Sequence, residues 1–280
     1  MFNSLYRIIN ILLLLCRFRR ICCKKKFEKT NCNEFQISEY DPESILSWNI
    51  QSMFLFTTPL KVKNIIKYIG NFNCDVVCLQ EVFEDNVKNK IIDELNYKYP
   101  YYLMGKTTKK NIVGEDSGLL VLSKYNINFI KEIEFHDNVC PDIMAQKTVL
   151  YFSVGDYNFS NSHIHSNNST IAEKHLLESL YKSPFKEYII VGDLNHNSAD
   201  NIVDVENNNK DPTWNNEILD YILPVGYKNN NKFDVSVIKI DLKDVTDHLP
   251  VMCKINNNKK MELRGVDPRA SRMLSERSTS

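Results

Sequence analysis

The sequence predicts an α/β domain built on mixed β-sheets, and three observations predict it. Short apolar runs and segments of alternating hydrophobicity recur along residues 41–258, the pattern of strands. Amphipathic stretches with helical spacing lie between them, and strands interspersed with helices belong to α/β architectures. No internal repeat is visible that would support a solenoid. At 280 residues, 43% of them hydrophobic and 11% aromatic, the chain is long enough for one large domain or two small ones and has ample apolar surface for a core.

Residues 44–51 open the domain as a buried strand that runs through Ile45, Leu46 and Trp48. Residues 59–70 form a helix, because Val62, Ile65, Ile66 and Ile69 fall on one face. The strand expected at 75–80 is an apolar run, Val76-Val77-Cys78-Leu79, that reads as buried. Further strands are expected at 119–123, 148–154, 157–162, 187–191, 233–238 and 251–255, and a second helix at 171–181.

The formal net charge of zero conceals three unequal parts. Residues 1–40 hold eight Lys/Arg against three Asp/Glu, and residues 259–280 hold six against three. Between them, residues 41–258 hold 21 Lys, no Arg and 29 Asp/Glu, so the domain itself is acidic. The first forty residues combine an apolar run, Ile11 to Leu15, with Arg17, Arg19, Arg20, Cys22, Cys23 and Lys24 to Lys26. That run is shorter than the ~20 residues of a membrane-crossing helix and is preceded by Arg7 and Asn10. Most charges follow it and no small-residue cleavage site is visible, which argues against a secretory signal. Apolar residues, a vicinal cysteine pair open to acylation and a basic cluster supply the two signals of stable membrane attachment. This segment is therefore expected to anchor the domain at the cytoplasmic face of a membrane; a disordered basic arm is the alternative. Residues 261–280 contain four Arg but no Asn, Lys, Ile or Tyr, unlike the middle of the chain. We set residues 259–280 aside as a tail of different origin, with an interaction tail as the alternative. Eight cysteines are too sparse for a disulfide scaffold of this length, and a reducing compartment is expected.

Polar residues collect where the expected strands end, which is where α/β enzymes place reactive groups. Asn49 follows Ile45-Leu46-Ser47-Trp48 and Glu81 ends the run from Asp75; His163 ends the run from Tyr157, Asp193 and Asn195 end the run from Tyr188, and Asp247-His248 precede Leu249-Pro250-Val251. These are carboxylates, carboxamides and imidazoles, with no Cys-x-x-Cys pair and no Gly-x-Ser-x-Gly turn among them. A hard cation such as Mg²⁺ takes oxygen ligands and keeps several waters, a demand that Glu81 and Asn49 meet; Mn²⁺ is the alternative ion. Soft thiolate metal sites find no support. Hydrolysis of a phosphodiester needs an activated water, charge stabilisation on the phosphoryl oxygens and a proton for the leaving group, and a histidine beside a carboxylate can handle the protons. Each residue alone has a plainer explanation: a solvated strand end for Glu81, a turn for Asp193-Leu194-Asn195, a packed or exposed ring for each histidine. Their combination carries the reading.

The order of the segments resembles the endonuclease/exonuclease/phosphatase superfamily from beginning to end: Trp48-Asn49-Ile50-Gln51, Leu79-Gln80-Glu81-Val82, Ser162-His163, Gly192-Asp193-Leu194-Asn195, Asp220-Tyr221 and Thr246-Asp247-His248-Leu249-Pro250-Val251. The resemblance implies a four-layer α/β/β/α sandwich with its active site at one end of the paired sheets. It implies Glu81 as principal Mg²⁺ ligand assisted by Asn49, and Asp193 as the residue that orients or deprotonates the attacking water. Asn195 would hold the phosphate, and His248, positioned by Asp220, would handle the second proton. Asp247 would support the metal or His248, and His163 would contact the scissile phosphate or assist the leaving group. The choice of general base between Asp193 and His248 stays open. His165 is expected on the same strand face as His163 if the strand continues, and His196 is expected to face solvent.

Within the superfamily, Asp75-Val76-Val77-Cys78-Leu79-Gln80-Glu81-Val82-Phe83 and Asp116-Ser117-Gly118-Leu119-Leu120-Val121-Leu122-Ser123-Lys124-Tyr125 are similar to the corresponding neutral sphingomyelinase segments. This resemblance implies sphingomyelin as the substrate, and the anchoring segment would bring a phospholipid within reach. A nuclease draws affinity from Lys and Arg facing phosphates, so an acidic domain without Arg disfavours nucleic acid. Lys109-Lys110 could still contribute to a basic groove, and a nuclease, an inositol-phosphate phosphatase and a non-catalytic adaptor are the alternatives.

Overall fold

A computed structural model describes residues 40–53, 57–105, 116–139, 142 and 145–256. The expected membrane anchor, Lys109-Lys110 and the C-terminal tail lie outside the described residues.

Eleven strands and four α-helices follow one another in the described residues: β1 (Ser44–Ser52), α1 (Pro59–Phe72), β2 (Val76–Val82), α2 (Asp85–Leu95), β3 (Tyr101–Met104), β4 (Leu120–Ser123), β5 (Asn128–Glu134), β6 (Thr148–Val154), β7 (Tyr157–His163), α3 (Ser169–Tyr181), β8 (Tyr188–Asp193), α4 (Ala199–Val203), β9 (Asp220–Val225), β10 (Phe233–Val237) and β11 (Val251–Ile255). They form two sheets, one in the order β10-β11-β1-β2-β4-β3 and one in the order β5-β6-β7-β8-β9. Both are mixed: β1 pairs with β2 and β7 with β8 in parallel, and the remaining pairs are antiparallel.

Side chains alternate between two apolar environments, as the period of a strand dictates. Ile45, Val76, Cys78, Val121, Phe152, Phe159, Ile189 and Val191 fill the space between the sheets. Their neighbours Leu46, Val77, Leu79 and Leu122 face outward and pack with Ile65 and Ile69 of α1 and Ile91 of α2. On the far side, Tyr151, Ile190, Tyr221 and Leu223 pack with Ala172 and Leu176 of α3 and with Ala199 and Val203 of α4. The result is the expected helix–sheet–sheet–helix sandwich. Because helices cover both outer faces, the central strands are apolar on both sides, which is why 75–80 reads as a run and not as an alternation.

Local chemistry accounts for both ends of α1 and the start of α3. Thr58 caps α1 by accepting the N–H of Lys61, Pro59 occupies its first turn, and Asn73 closes it in a left-handed conformation with its N–H on the Ile69 carbonyl. The helix therefore runs past Gly70, two residues beyond the expected end. Asn168 caps α3 through Ile171 N–H, which moves its start back to Ser169.

Candidate active site

Register brings the strand ends together. Parallel pairing of β7 with β8 sets His163 opposite Asp193, and antiparallel pairing of β8 with β9 sets Asp193 opposite Asp220. In-register neighbours project to the same face of a sheet, so these three side chains form a row. From the other sheet come Asn49 of β1, Glu81 of β2 and His248, which precedes β11, the antiparallel partner of β1.

One amide joins the two sheets. Asn49 Nδ2 donates to Glu81 Oε1 at 3.0 Å and to Asp193 Oδ2 at 2.8 Å, while its Oδ1 accepts the Gln51 backbone N–H at 3.0 Å. Asn49 is expected from its position to serve as an oxygen ligand. Here its nitrogen faces the carboxylates, since two converging acids require a donor, and its oxygen serves the turn at Gln51. Glu81 itself has φ 55°, a left-handed backbone that is rare for a residue with a side chain and often found at functional positions.

Glu81, His163 and Asp193 offer ligand atoms that all lie within 4.8 Å of one another, and Asp193, Asp220 and His248 form a second such group. His163 Nε2 stands 3.5 Å from Glu81 Oε1 and 3.8 Å from Asp193 Oδ2. His248 donates through Nδ1 to Asp220 Oδ2 at 2.8 Å, which leaves its Nε2 3.9 Å from Asp193 Oδ2. Burial raises the Glu81 carboxyl above its ordinary range. Burial, with repulsion from Asp220, pushes Asp193 up to about 7. Burial works against charge on His248, but the Asp220 carboxylate outweighs it and holds the imidazole protonated up to about 10. His163 goes the other way, kept neutral by burial and by the nearby Lys147 ammonium.

The remaining expected residues lie close by with defined partners. Asp193 Oδ1 accepts the Asn195 N–H at 3.0 Å, so the turn explanation and the site explanation both hold, one for each oxygen. Asn195 donates its side-chain amide to the Ile164 carbonyl and lines the cleft. Asp247 Oδ2 accepts from Gln51 Nε2 at 2.9 Å and from Trp214 Nε1 at 3.1 Å, outside both potential ligand groups. His165 does not share the face of His163. The strand ends at His163, and His165 is fully buried against Asp142, with Nδ1 3.0 Å from its carboxylate. His196 is half-buried and lines the cleft, where its Nδ1 accepts the Ser198 N–H.

Sequence reasoning missed several supporting residues. Lys147, 1% exposed, sits 3.2 Å from His163 Nε2, donates to the Ile164 carbonyl and pairs with Asp142 at 3.2 Å. Its only signal was a charge immediately before a strand, which ordinarily reads as solvated. Trp214 stacks on His248 with ring centroids 6.1 Å apart, and Thr246 Oγ1 donates to the Asn49 carbonyl. Glu81, His163, Asp193, Trp214, Asp247 and His248 border a cleft of about 670 Å³, lined also by Ser166, Asn167, Asn168, Asn197 and Glu217. Among its described lining residues there is no Lys or Arg.

A family model described as the Endonuclease/Exonuclease/phosphatase family matches residues 46–248, which embrace every residue of the site. The chain belongs to this family of hydrolases. A search of curated protein sequences gives no significant match. Among solved structures, the chain is similar to a beta toxin mutant from Staphylococcus aureus with bound magnesium ions (19% identity, 77% of this chain and 100% of that one covered, TM-score 0.62). It is similar to sphingomyelinase C from Streptomyces griseocarneus (18%, 78% and 100%, TM-score 0.60) and to a humanized D. rerio TDP2 (18%, 77% and 99%, TM-score 0.58). At such identities the likeness concerns the fold.

Proposed function

We propose that this protein is a Mg²⁺-dependent phosphodiesterase that cleaves sphingomyelin to ceramide and phosphocholine. The observation that carries the reading is the cleft itself: the Glu81 and Asp193 carboxylates converge at its base, and the described lining holds no Lys or Arg to neutralise a polyanionic substrate.

The residues suit a hard divalent cation. Glu81 Oε1 and Asp193 Oδ2 converge on one amide and one neutral imidazole, so negative charge gathers there that Mg²⁺ would balance through oxygen donors. Glu81 would hold the ion, with Asp193 beside it. Bound there, Mg²⁺ supplies charge stabilisation for a phosphoryl oxygen. The chain's own groups handle the protons. Asp193 accepts a proton from the attacking water. His248, kept protonated by Asp220, offers Nε2–H to the phosphoryl group or to the departing ceramide oxygen. Neutral His163 provides a second contact at the opposite side of Asp193. A zwitterionic head group suits a cleft whose remaining charges, Glu217 and Asp247, are negative. The solved sphingomyelinase of similar fold adds support.

The test is hydrolysis of radiolabelled sphingomyelin set against plasmid nicking, each with Mg²⁺ and with EDTA, for the wild type and His248→Ala. Phosphocholine release that requires both the metal and His248 is expected. Metal-dependent nicking without lipid turnover would replace the lipid reading with a nuclease.

A further inference from the structure

A lysine is buried close to Glu81 where the proposed chemistry makes no use of it. Lys88 of α2 is 3% exposed, and its ammonium pairs with the carboxylate of Asp116, itself 5% exposed. Asp85, one turn back on the helix, lies 3.8 Å from the same ammonium. Removing two charges from water costs more than a buried pair usually returns, and an apolar pair of similar volume is often as stable. Stability alone therefore gives no reason for the pair.

The contacts lead from it to Glu81. Asp116 Oδ1 accepts the Gly118 N–H at 2.8 Å, and the Gly118 carbonyl accepts the N–H of Val82, the residue after Glu81, also at 2.8 Å. Gly118 has φ +64°, and a Cβ placed there would stand 2.7 Å from the Phe83 ring and 3.2 Å from Glu81 Cα, so this turn passes close against the Glu81 backbone. Glu81 occupies a left-handed conformation that persists only when its surroundings impose it. A charge-assisted bond fixes geometry more tightly than a neutral one, and this one ties the helix to the turn.

We propose that the Lys88–Asp116 ion pair is a positioning device that holds Glu81 in its strained backbone conformation and so sets the affinity of the site for its divalent cation. The inference rests on the reading of Glu81 as the metal-holding carboxylate.

The variant Lys88→Met/Asp116→Asn removes both charges and leaves neither alone in the interior. Mg²⁺ affinity, measured by calorimetric titration, is expected to weaken about 10-fold, the scale on which residues supporting a metal ligand act, while the melting temperature stays close to that of the wild type. Asp116→Glu keeps the pair but displaces the turn by one methylene, and it is expected to weaken Mg²⁺ in the same direction. Wild-type affinity in both variants, or a lowered melting temperature with affinity intact, would overturn the inference. Glu81→Gln, titrated alongside, separates the two readings: if it binds Mg²⁺ like the wild type, the metal reading of Glu81 fails. If it loses Mg²⁺ while the charge-free pair keeps it, only the positioning role falls.

Discussion

His248 and His175 are both buried, and their neighbours send two identical side chains in opposite directions. His248 is buried beside Asp220, and that carboxylate raises its proton affinity to about 10 despite the cost of desolvation. A pKa raised in the folded state contributes stability that is complete below the unfolded value near 6.5 and is lost as pH rises towards 10. Asp220→Asn removes the attraction, so the alkaline limb of kcat/KM is expected to move from near 10 towards neutrality, read from a pH–rate profile. His248→Ala is expected to lower kcat by about 10²–10⁴. His175 of α3 is buried and stacks on Phe135 at 4.5 Å without a comparable acid, and burial lowers it to about 4. Between 6.5 and 4 the unfolded chain binds a proton that the folded chain refuses, so stability is full above 6.5 and falls as pH drops through that window. For this partly screened group the loss is about 1–2 kcal/mol. His175→Leu is expected to flatten the acid side of a urea-denaturation series by that amount.

At the scale of elements, the close approach of β7 and β8 is what sets His163 beside Asp193. Gly192, φ +147°, makes it feasible: a Cβ there would fall 2.0 Å from the Ser162 carbonyl oxygen. Gly192→Ala is expected to destabilise the domain by at least about 3 kcal/mol in urea denaturation, with loss of activity, because the parallel pair must separate. The strands that carry the site were legible in the sequence because each is an apolar run ending in a polar residue, as Tyr188–Asp193 does. Strand β9 was not read as a strand although Asp220 was singled out. Pro224 interrupts its pattern, which a β9 at the sheet edge tolerates. Helix α2 was missed because Lys88 lies among its buried residues Val87, Ile91, Ile92 and Leu95, and periodicity reads a lysine as outward-facing. Lys147 escaped notice for the same reason. A buried cation is fixed by partners distant in sequence, and no local pattern encodes them.

For the whole molecule, charge is distributed by segment. Residues 41–258 carry a net negative charge, whereas residues 1–40 hold eight Lys/Arg against three Asp/Glu. Among the described residues no helix is long and apolar enough to cross a membrane. Under the proposed lipid function, delivery to a bilayer is expected of the first forty residues, since an acidic domain is repelled by anionic lipid while each basic residue near such a surface contributes about 1 kcal/mol. Residues 46–248, the extent of the family match, contain all the proposed catalytic groups, so delivery and chemistry are separable. Removal of residues 1–39 is expected to leave hydrolysis of bis(p-nitrophenyl) phosphate within about 2-fold of the full chain. On sphingomyelin in vesicles containing phosphatidylserine, the same truncation is expected to lower the rate at least about 10-fold, with a smaller deficit at high salt, where the basic cluster is screened. Equal losses on the soluble and the vesicle substrate would mean that the segment supports the fold instead. No loss on vesicles would place membrane contact on the domain itself.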